Sequence, residues 1–540
     1  MAVESEVVSF RSEIDGSEQR AGLCGPTDRA GRLPLLVEVQ PGSITDLERT
    51  LEQGRRYLAM VGEPAVWVRP GGRGPGTVFQ GCGEVDVFEA IEAAATRYPI
   101  DRDRISLLGA SMGGAATWYL GSHHPDRFAA IAPFCGYNDY RLWTRPGGMT
   151  FPLMPWEEAS WRARSAIFLM ENLRHVGVWM VHGAWDRAVG GGVDVAHSRN
   201  SAARLQALGI PYRYDELPAT GHGVLDKDAD LMQRLLRWLV AQRRPTSPGR
   251  LTFTTYELRH PRAYWLEVLQ LGRYGGVPGR VEAHASAEAV TIQTENVRHL
   301  AVGPVPQVGH AARLVVDGAP IRGADLRARV GVGRDPAGAW LLAEPEAPSG
   351  EKRPGASGPF GDLFRRGTIL VPGTIGTAEE RFFLDWCAGE AARFYRTWNG
   401  GVHRGGIPGE SWVTVPVRPD TAFLADPDPG CNVVALGTPA TNALLARLAD
   451  RLPLRFGAGE IQVGGRSFRG AKVAVIALLP HPDGGARYLA VHGGATPDAI
   501  THGAHFGWQL LPDWLVYDGD RVLGWGSFGN DWRIQADPED

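Results

Sequence analysis

The sequence predicts an α/β protein in which a mostly parallel sheet, covered by helices on both faces, is followed by a β-rich domain and a smaller α/β domain. Three features carry that prediction. Up to about residue 243, short apolar runs bounded by Gly or Pro alternate with helical patterns. Between about 251 and 342 the runs become strand-like, with turn residues between them and little helical periodicity. From about 360 the alternation returns. A chain of 540 residues is also too long for a single core, so several domains are expected.

Residues 1–243 are read as the first domain. Runs at 33–39, 65–68, 105–108, 128–133 and 176–181 are short and largely apolar, as strands buried on both faces are. The stretch 212–217 is a final strand candidate, and helical patterns occupy 85–98 and 113–122. An insertion at about 137–175 reads as a helical cap. Two stretches, 243–250 and about 343–359, are rich in Pro, Gly and polar residues and read as linkers. In the second domain, 251–342, strands at 252–256, 265–268, 290–294 and 313–317 indicate a small β-sandwich. In the third, 360–540, a strand at 368–371 precedes Thr377-Ala-Glu-Glu380, a capping box that opens a helix. The strand 432–436 is followed by Thr438-Pro439, read as N-cap and first-turn proline of a helix through Leu452. Further strands are expected at 473–478 and 515–517.

Composition narrows the function classes. The net charge of -4 gives no reason to expect nucleic acid or an anionic membrane as partner. The acidic start, Met1-Ala-Val-Glu-Ser-Glu, lacks the pattern of a signal peptide, and no apolar run is long enough for a membrane span. The five cysteines are scattered, without CxxC spacing, and suit reduced thiols in a cytoplasmic protein.

The chemistry centres on Gly109-Ala-Ser-Met-Gly113, which directly follows the strand at 105–108 and precedes the helix pattern. Small neighbours permit a tight turn that lifts the Ser111 hydroxyl clear of the sheet. A serine nucleophile needs a base, and the base an orienting acid. The strand at 176–181 ends in His182-Gly-Ala-Trp-Asp186, and the strand at 212–217 is closed by a loop holding Gly221-His222-Gly223. Ser111, Asp186 and His222 are therefore nucleophile, acid and base, each at a strand end; Asp194 competes with Asp186. His123, His124, His182 and His197 are read as satisfied core or surface groups. Gly524-Trp-Gly-Ser-Phe-Gly529 matches a dinucleotide fingerprint by letter only, since no helix or spaced acidic residue follows it.

Asp101-Arg-Asp-Arg-Ile-Ser-Leu-Leu-Gly-Ala-Ser-Met-Gly-Gly114, His124-Pro-Asp-Arg-Phe-Ala-Ala130, Gly83-Glu-Val-Asp-Val87, His182-Gly with Asp186, and Gly221-His222 resemble α/β hydrolases of the prolyl-oligopeptidase-related type. The resemblance covers about residues 10–243 and is specific over the elbow; the later parts are vaguely similar to C-terminal extensions of some members. It implies hydrolysis of an ester or amide through an acyl-enzyme, on a small-molecule or peptide-like substrate, with no metal and no organic cofactor.

One departure concerns the oxyanion hole. Where such hydrolases commonly carry a His-Gly pair after the first core strand, this chain reads Val39-Gln40-Pro41-Gly42-Ser43. Pro41 has no N–H, so Gly42, Ser43 or the Gln40 backbone is expected to act beside Met112. In the cap, Trp143, Met149, Phe151, Met154, Trp156 and Trp161 form either the cap's own core or, for Trp143, Phe151 and Trp156, an acyl pocket over Ser111. An acyltransferase or cyclase using the same triad stays open, as does a binding or scaffold protein with a vestigial hydrolase domain. The parts beyond Arg250 add no triad residue, and are expected to wall the entrance, restrict substrate size or make a homo-oligomer contact.

Overall fold

The computed structural model describes residues 2–40, 46–74, 77–143, 154–187, 192–398, 415–505 and 510–535. An eight-stranded sheet forms from β1 (Val3–Arg11), β2 (Glu18–Pro26), β3 (Leu33–Glu38), β4 (Val66–Pro70), β5 (Ile100–Ala110), β6 (Ala130–Phe134), β7 (Gly177–Gly183) and β8 (Arg213–Leu217). Their order is β1-β2-β4-β3-β5-β6-β7-β8. From β4 to β8 every pairing is parallel; the β1–β2 hairpin adds on antiparallel to β4. β3, β4 and β6 are buried along their whole length, which is why they read as continuous apolar runs.

The helices are α1 (Leu47–Val61), α2 (Cys82–Arg97), α3 (Met112–His123), α4 (Tyr140–Trp143), α5 (Pro155–Arg164), α6 (Ala196–Ala207) and α7 (Ala229–Ala241). Local chemistry sets two of the starts. The Asp46 carboxylate accepts from Arg49 N–H and that of Asp228 from Leu231 N–H, each satisfying an orphan donor of the first turn. α1 and α7 cover one face of the sheet in a common apolar cluster that includes Leu58, Trp67, Leu235 and Leu239; α2 and α3 cover the other.

Beyond α7, two five-stranded sheets share one core built from Phe253, Val268, Val290, Ile292, Leu300 and Val332. The last part has a six-stranded sheet in the order Thr368–Pro372, Asn432–Leu436, Tyr488–Gly494, Val473–Pro480, Trp514–Asp518, Arg521–Gly526, parallel over the first three and antiparallel after them. The helix Ala378–Trp398 opens with reciprocal bonds, Thr377 N–H to Glu380 Oε2 and Glu380 N–H to Thr377 Oγ1, so the capping box is real.

One expected element is displaced. The helix assigned to start at Thr438-Pro439 starts at Ala443, with Asn442 as its cap and Thr438-Pro439 in the preceding turn; its far end is as expected, the α-helix Ala443–Leu448 running on as a 3-10 turn, Ala449–Arg451, up to Leu452. The Asn442 carboxamide accepts from Leu444 and Leu445 N–H and donates to the carbonyls of Val371 and Leu436. Those bonds to two strands outweigh the local Thr-Pro signal.

A buried carboxylate joins the three stretches of chain. Glu84 on α2 is fully buried and accepts four donors. His124 Nε2 (2.6 Å) and His260 Nε2 (2.9 Å) reach Oε1, while Tyr119 O–H (3.0 Å) and Arg365 Nη1 (2.7 Å) reach Oε2. Burial alone would raise its pKa, but Arg365 and the two histidines hold it well below the usual carboxylate range. Arg365→Met leaves a buried charge short of its only formal counter-ion. It is expected to lower stability by about 3–5 kcal/mol, read from denaturation, with the double variant Glu84→Gln/Arg365→Met recovering part of the loss. Equal stability of the single variant and the parent would remove Glu84 from this role.

Asp86, two residues along α2, behaves oppositely. Its Oδ2 accepts from Gly72 N–H (2.6 Å), its Oδ1 has no partner among the described residues, and burial pushes its pKa up to about 7. The native state therefore holds a proton that the unfolded chain has already released, so stability falls as pH rises from about 4 through 7. Asp86→Asn is expected to raise the melting temperature more at pH 8 than at pH 5; a pH-independent effect would contradict the burial argument.

Candidate active site

β5 runs straight into Ser111, and α3 begins at Met112. Ser111 sits at φ 57°, ψ -116°, a conformation that L-residues seldom hold, fixed by Ser111 N–H to the Phe134 carbonyl (2.8 Å) and Ala115 N–H to the Ser111 carbonyl (2.9 Å). Neighbouring backbones press on this turn. A Cβ on Gly109 would lie 2.3 Å, and one on Gly113 2.0 Å, from the Val39 carbonyl oxygen. Close approach to β3 thus dictates glycine at both ends of Gly-x-Ser-x-Gly.

His222 lies in the loop between β8 and α7. Its Nε2 is 2.8 Å from Ser111 Oγ and its Nδ1 2.7 Å from Asp186 Oδ2. With Nδ1–H donating to the carboxylate, Nε2 is left as an acceptor for the serine hydroxyl. Asp186 follows β7 and is buried, with Val193 N–H donating to Oδ1 (3.1 Å). Burial would raise its pKa, but hydrogen bonds from His182 and His222 hold it below the usual carboxylate range. Asp194 is directed elsewhere: its Oδ1 accepts from Ala196 N–H at the start of α6.

The structure thus brings Ser111, His222 and Asp186 into one hydrogen-bonded chain. Met112 packs beside it against Val78, Ala115, Tyr137, Trp161, Val193 and, from the last part of the chain, Leu510. Trp156 packs in the core of the last part, with its ring 5.6 Å from that of Trp525, and lines a cavity together with Leu510 of this cluster. The acyl-pocket candidates Phe151 and the Trp143 side chain, and the oxyanion-hole candidates Gly42 and Ser43, lie outside the described residues. Sequence reasoning missed Leu510 and gave no role to His182 or Cys135, which flank Asp186. The His-Gly pair ending β7 was the one available signal.

Two clusters have residue types that can ligate a metal, Glu84 with His124 and His260, and Cys135 with Asp186 and His222. In both, imidazole nitrogens already hydrogen-bond to the carboxylate. What the second arrangement can do without a metal is pass a proton from a serine hydroxyl to a histidine whose cation is stabilised by a buried carboxylate.

Fold and site together define an α/β-hydrolase with a Ser-His-Asp constellation. Residues 83–244, which hold the elbow and all three members, match the Prolyl oligopeptidase family. A relative named "Uncharacterized secreted protein", from Arthroderma benhamiae, is 33% identical over 141 residues, 24% of this chain but only 14% of the relative's length. An acylaminoacyl peptidase in complex with Z-Gly-Gly-Phe-chloromethyl ketone aligns at TM-score 0.37 and 18% identity, covering 45% of this chain and 43% of its own. A fluorophosphonate-binding serine hydrolase of Staphylococcus aureus aligns at TM-score 0.36 and 15% identity, covering 44% and 99%. The acylaminoacyl peptidase of Pyrococcus horikoshii aligns at TM-score 0.35 and 17% identity, covering 45% and 43%. Among the described residues no helix is long and apolar enough to cross a membrane.

The two candidate acids separate by mutation. Asp186→Asn is expected to cut kcat on an activated ester by roughly 10⁴-fold, because the amide imposes the wrong tautomer on His222. Asp194→Asn keeps an oxygen for the helix start and should stay within about 3-fold of the parent, since an Asn cap is nearly as good as Asp. Reversed results would assign the acid to Asp194.

Proposed function

We propose that this protein is a serine hydrolase that cleaves an ester or amide bond of a small-molecule or peptide-like substrate through an acyl-enzyme on Ser111. The observation that carries the reading is the chain Ser111 Oγ–His222–Asp186, with bonds of 2.8 and 2.7 Å, set on a strained strand-to-helix turn.

In this reading His222 Nε2 takes the hydroxyl proton as Ser111 Oγ attacks the carbonyl carbon. Asp186 stabilises the imidazolium that forms, and His222 then returns the proton to the leaving alcohol or amine. The tetrahedral oxyanion points toward the N-terminus of α3, where Met112 N–H and the dipole end of the helix favour negative charge. Gly42, Ser43 or the Gln40 backbone supplies the second donor. Water then enters on the same path as the attacking serine, with His222 as its base, and releases the acid.

Residues 1–243 form the catalytic domain in this proposal, 251–342 and 360–540 the accessory ones. The last part has a share in the pocket wall, which the packing of Leu510 in the Met112 cluster supports. A cytoplasmic setting is part of the reading, supported by five free cysteines, four of them buried.

The test is labelling with a fluorophosphonate probe, then turnover of a panel of esters and aminoacyl amides. The parent should label and Ser111→Ala should not, with kcat reduced by about 10³- to 10⁶-fold. More than a few per cent residual activity in a folded Ser111→Ala variant would end the proposal. Product transferred to an added alcohol or amine in preference to water would redirect it to an acyltransferase.

A further inference from the structure

We infer that His182 is a positioning residue for the triad acid, holding the Asp186 carboxylate in the rotamer that faces His222. This rests on the serine-hydrolase reading above.

His182 ends β7, four residues before Asp186, and is completely buried. An imidazole placed there without partners would cost several kcal/mol of desolvation, roughly 2–7 for a neutral polar group, so its contacts must compensate. It has three. Nδ1 lies 2.7 Å from Ser198 Oγ, Nε2 lies 2.9 Å from the Val193 carbonyl oxygen, and Nε2 is 3.2 Å from Asp186 Oδ2. A carbonyl only accepts, so Nε2 carries the hydrogen and shares it between Val193 and Asp186. Nδ1 is held by the Ser198 hydroxyl, which can donate or accept, so both ring nitrogens are engaged.

Val193 makes this more than a buried polar contact. Its carbonyl is held by His182 and its N–H donates to Asp186 Oδ1 (3.1 Å), so one residue ties the imidazole to the carboxylate from the other side. The neighbouring residue is glycine for a related reason: a Cβ on Gly192 would lie 2.3 Å from Asp186 Oδ1. The Cys135 thiol packs against the same carboxylate. Both oxygens are therefore fixed, Oδ1 by Val193 and Oδ2 between two imidazoles. Two histidines share Oδ2. His222 uses it in the reaction, while His182 is 0% exposed and lies behind it, out of reach of any substrate.

Gln and Asn at position 182 separate positioning from simple core packing. A Gln amide nitrogen reaches the place of imidazole Nε2; an Asn amide nitrogen reaches only the place of Nδ1. His182→Asn is expected to lose kcat by about 10- to 100-fold with KM changed less than about 3-fold, since a small misplacement of the acid weakens the transition state and not substrate binding. His182→Gln should recover kcat to within a few-fold, and the low-field proton resonance of the His222–Asp186 bond should weaken in Asn and persist in Gln. Each variant is compared at equal melting temperature, per fluorophosphonate-titrated site. Equal kcat for folded Asn and Gln variants would overturn the inference. Should both fail to fold, Ser198→Ala decides, because it removes, with little change of volume, the hydroxyl that holds Nδ1: unchanged kcat and resonance would overturn it. Activity surviving in Ser111→Ala would instead bring down the underlying reading.

Discussion

A carboxylate taken wholly out of water stays charged only if donors surround it, and Glu84 draws its donors from three separate stretches of the chain. Tyr119 and His124 lie on or next to α3, His260 belongs to the β-rich part, and Arg365 to the last part. Arg259 reinforces the junction, fully buried with Glu257 at 2.6 Å and Asp362 at 3.7 Å. Such groups contribute little net stability compared with a well-packed apolar junction. What they impose is orientation, because only one arrangement of the three stretches satisfies every charge. The α/β-hydrolase part of this protein is for that reason a poor candidate for excision: cut after α7, Glu84 keeps Tyr119 and His124 but loses its guanidinium and one imidazole.

The same constraint reaches Ser111. α3 has 12 residues and is about 18 Å long at 1.5 Å per residue. Its first turn abuts Ser111 and its last abuts the Glu84 cluster, through Tyr119 and His124. Fixing one end of a rigid helix limits the tilt of the other. The elbow, pressed between the Val39 carbonyl and the Phe134 carbonyl, tolerates little tilt. The charge network at the junction and the strained turn at Ser111 are in this sense two ends of one mechanical element, and Leu510, from the last part of the chain, packs in the Met112 cluster beside that turn.

Legibility in the sequence followed the range of the interactions. The six parallel strands could be read because each depends on a short apolar run, and Ser111, Asp186 and His222, which the structure brings together, stand at or just beyond the ends of such runs. β1 offers no apolar run to read: of the nine residues Val3–Arg11 only Val8 is fully buried, so an edge strand of that kind has no apolar signature. The Thr438-Pro439 start failed because Asn442 is held by carbonyls of two strands. The partners of Glu84 lie 35, 40, 176 and 281 positions away, and nothing local marks a glutamate near a helix start as a junction. His182 was set aside as a core histidine, which it is by burial; its facing toward Asp186 depends on Val193 and Ser198, 11 and 16 positions on.

Three acids on one domain show how environment, not residue type, decides the role. Asp86 is buried with a single backbone donor and its pKa rises to about 7, so it resists ionisation. Glu84 is equally buried but has four donors, one of them a guanidinium, and its charge serves as a fixed anchor. Asp186 stands between these cases. Two imidazoles and a peptide N–H keep it ionised, and among the described residues no guanidinium or ammonium pairs with it. A permanent cation beside Asp186 would hold the carboxylate just as firmly but would cancel the charge that an imidazolium on His222 needs. Donors without a permanent charge fix the position of the carboxylate and leave it facing His222. In the serine-hydrolase reading, that difference makes the residues around Glu84 a joint and those around Asp186 a site.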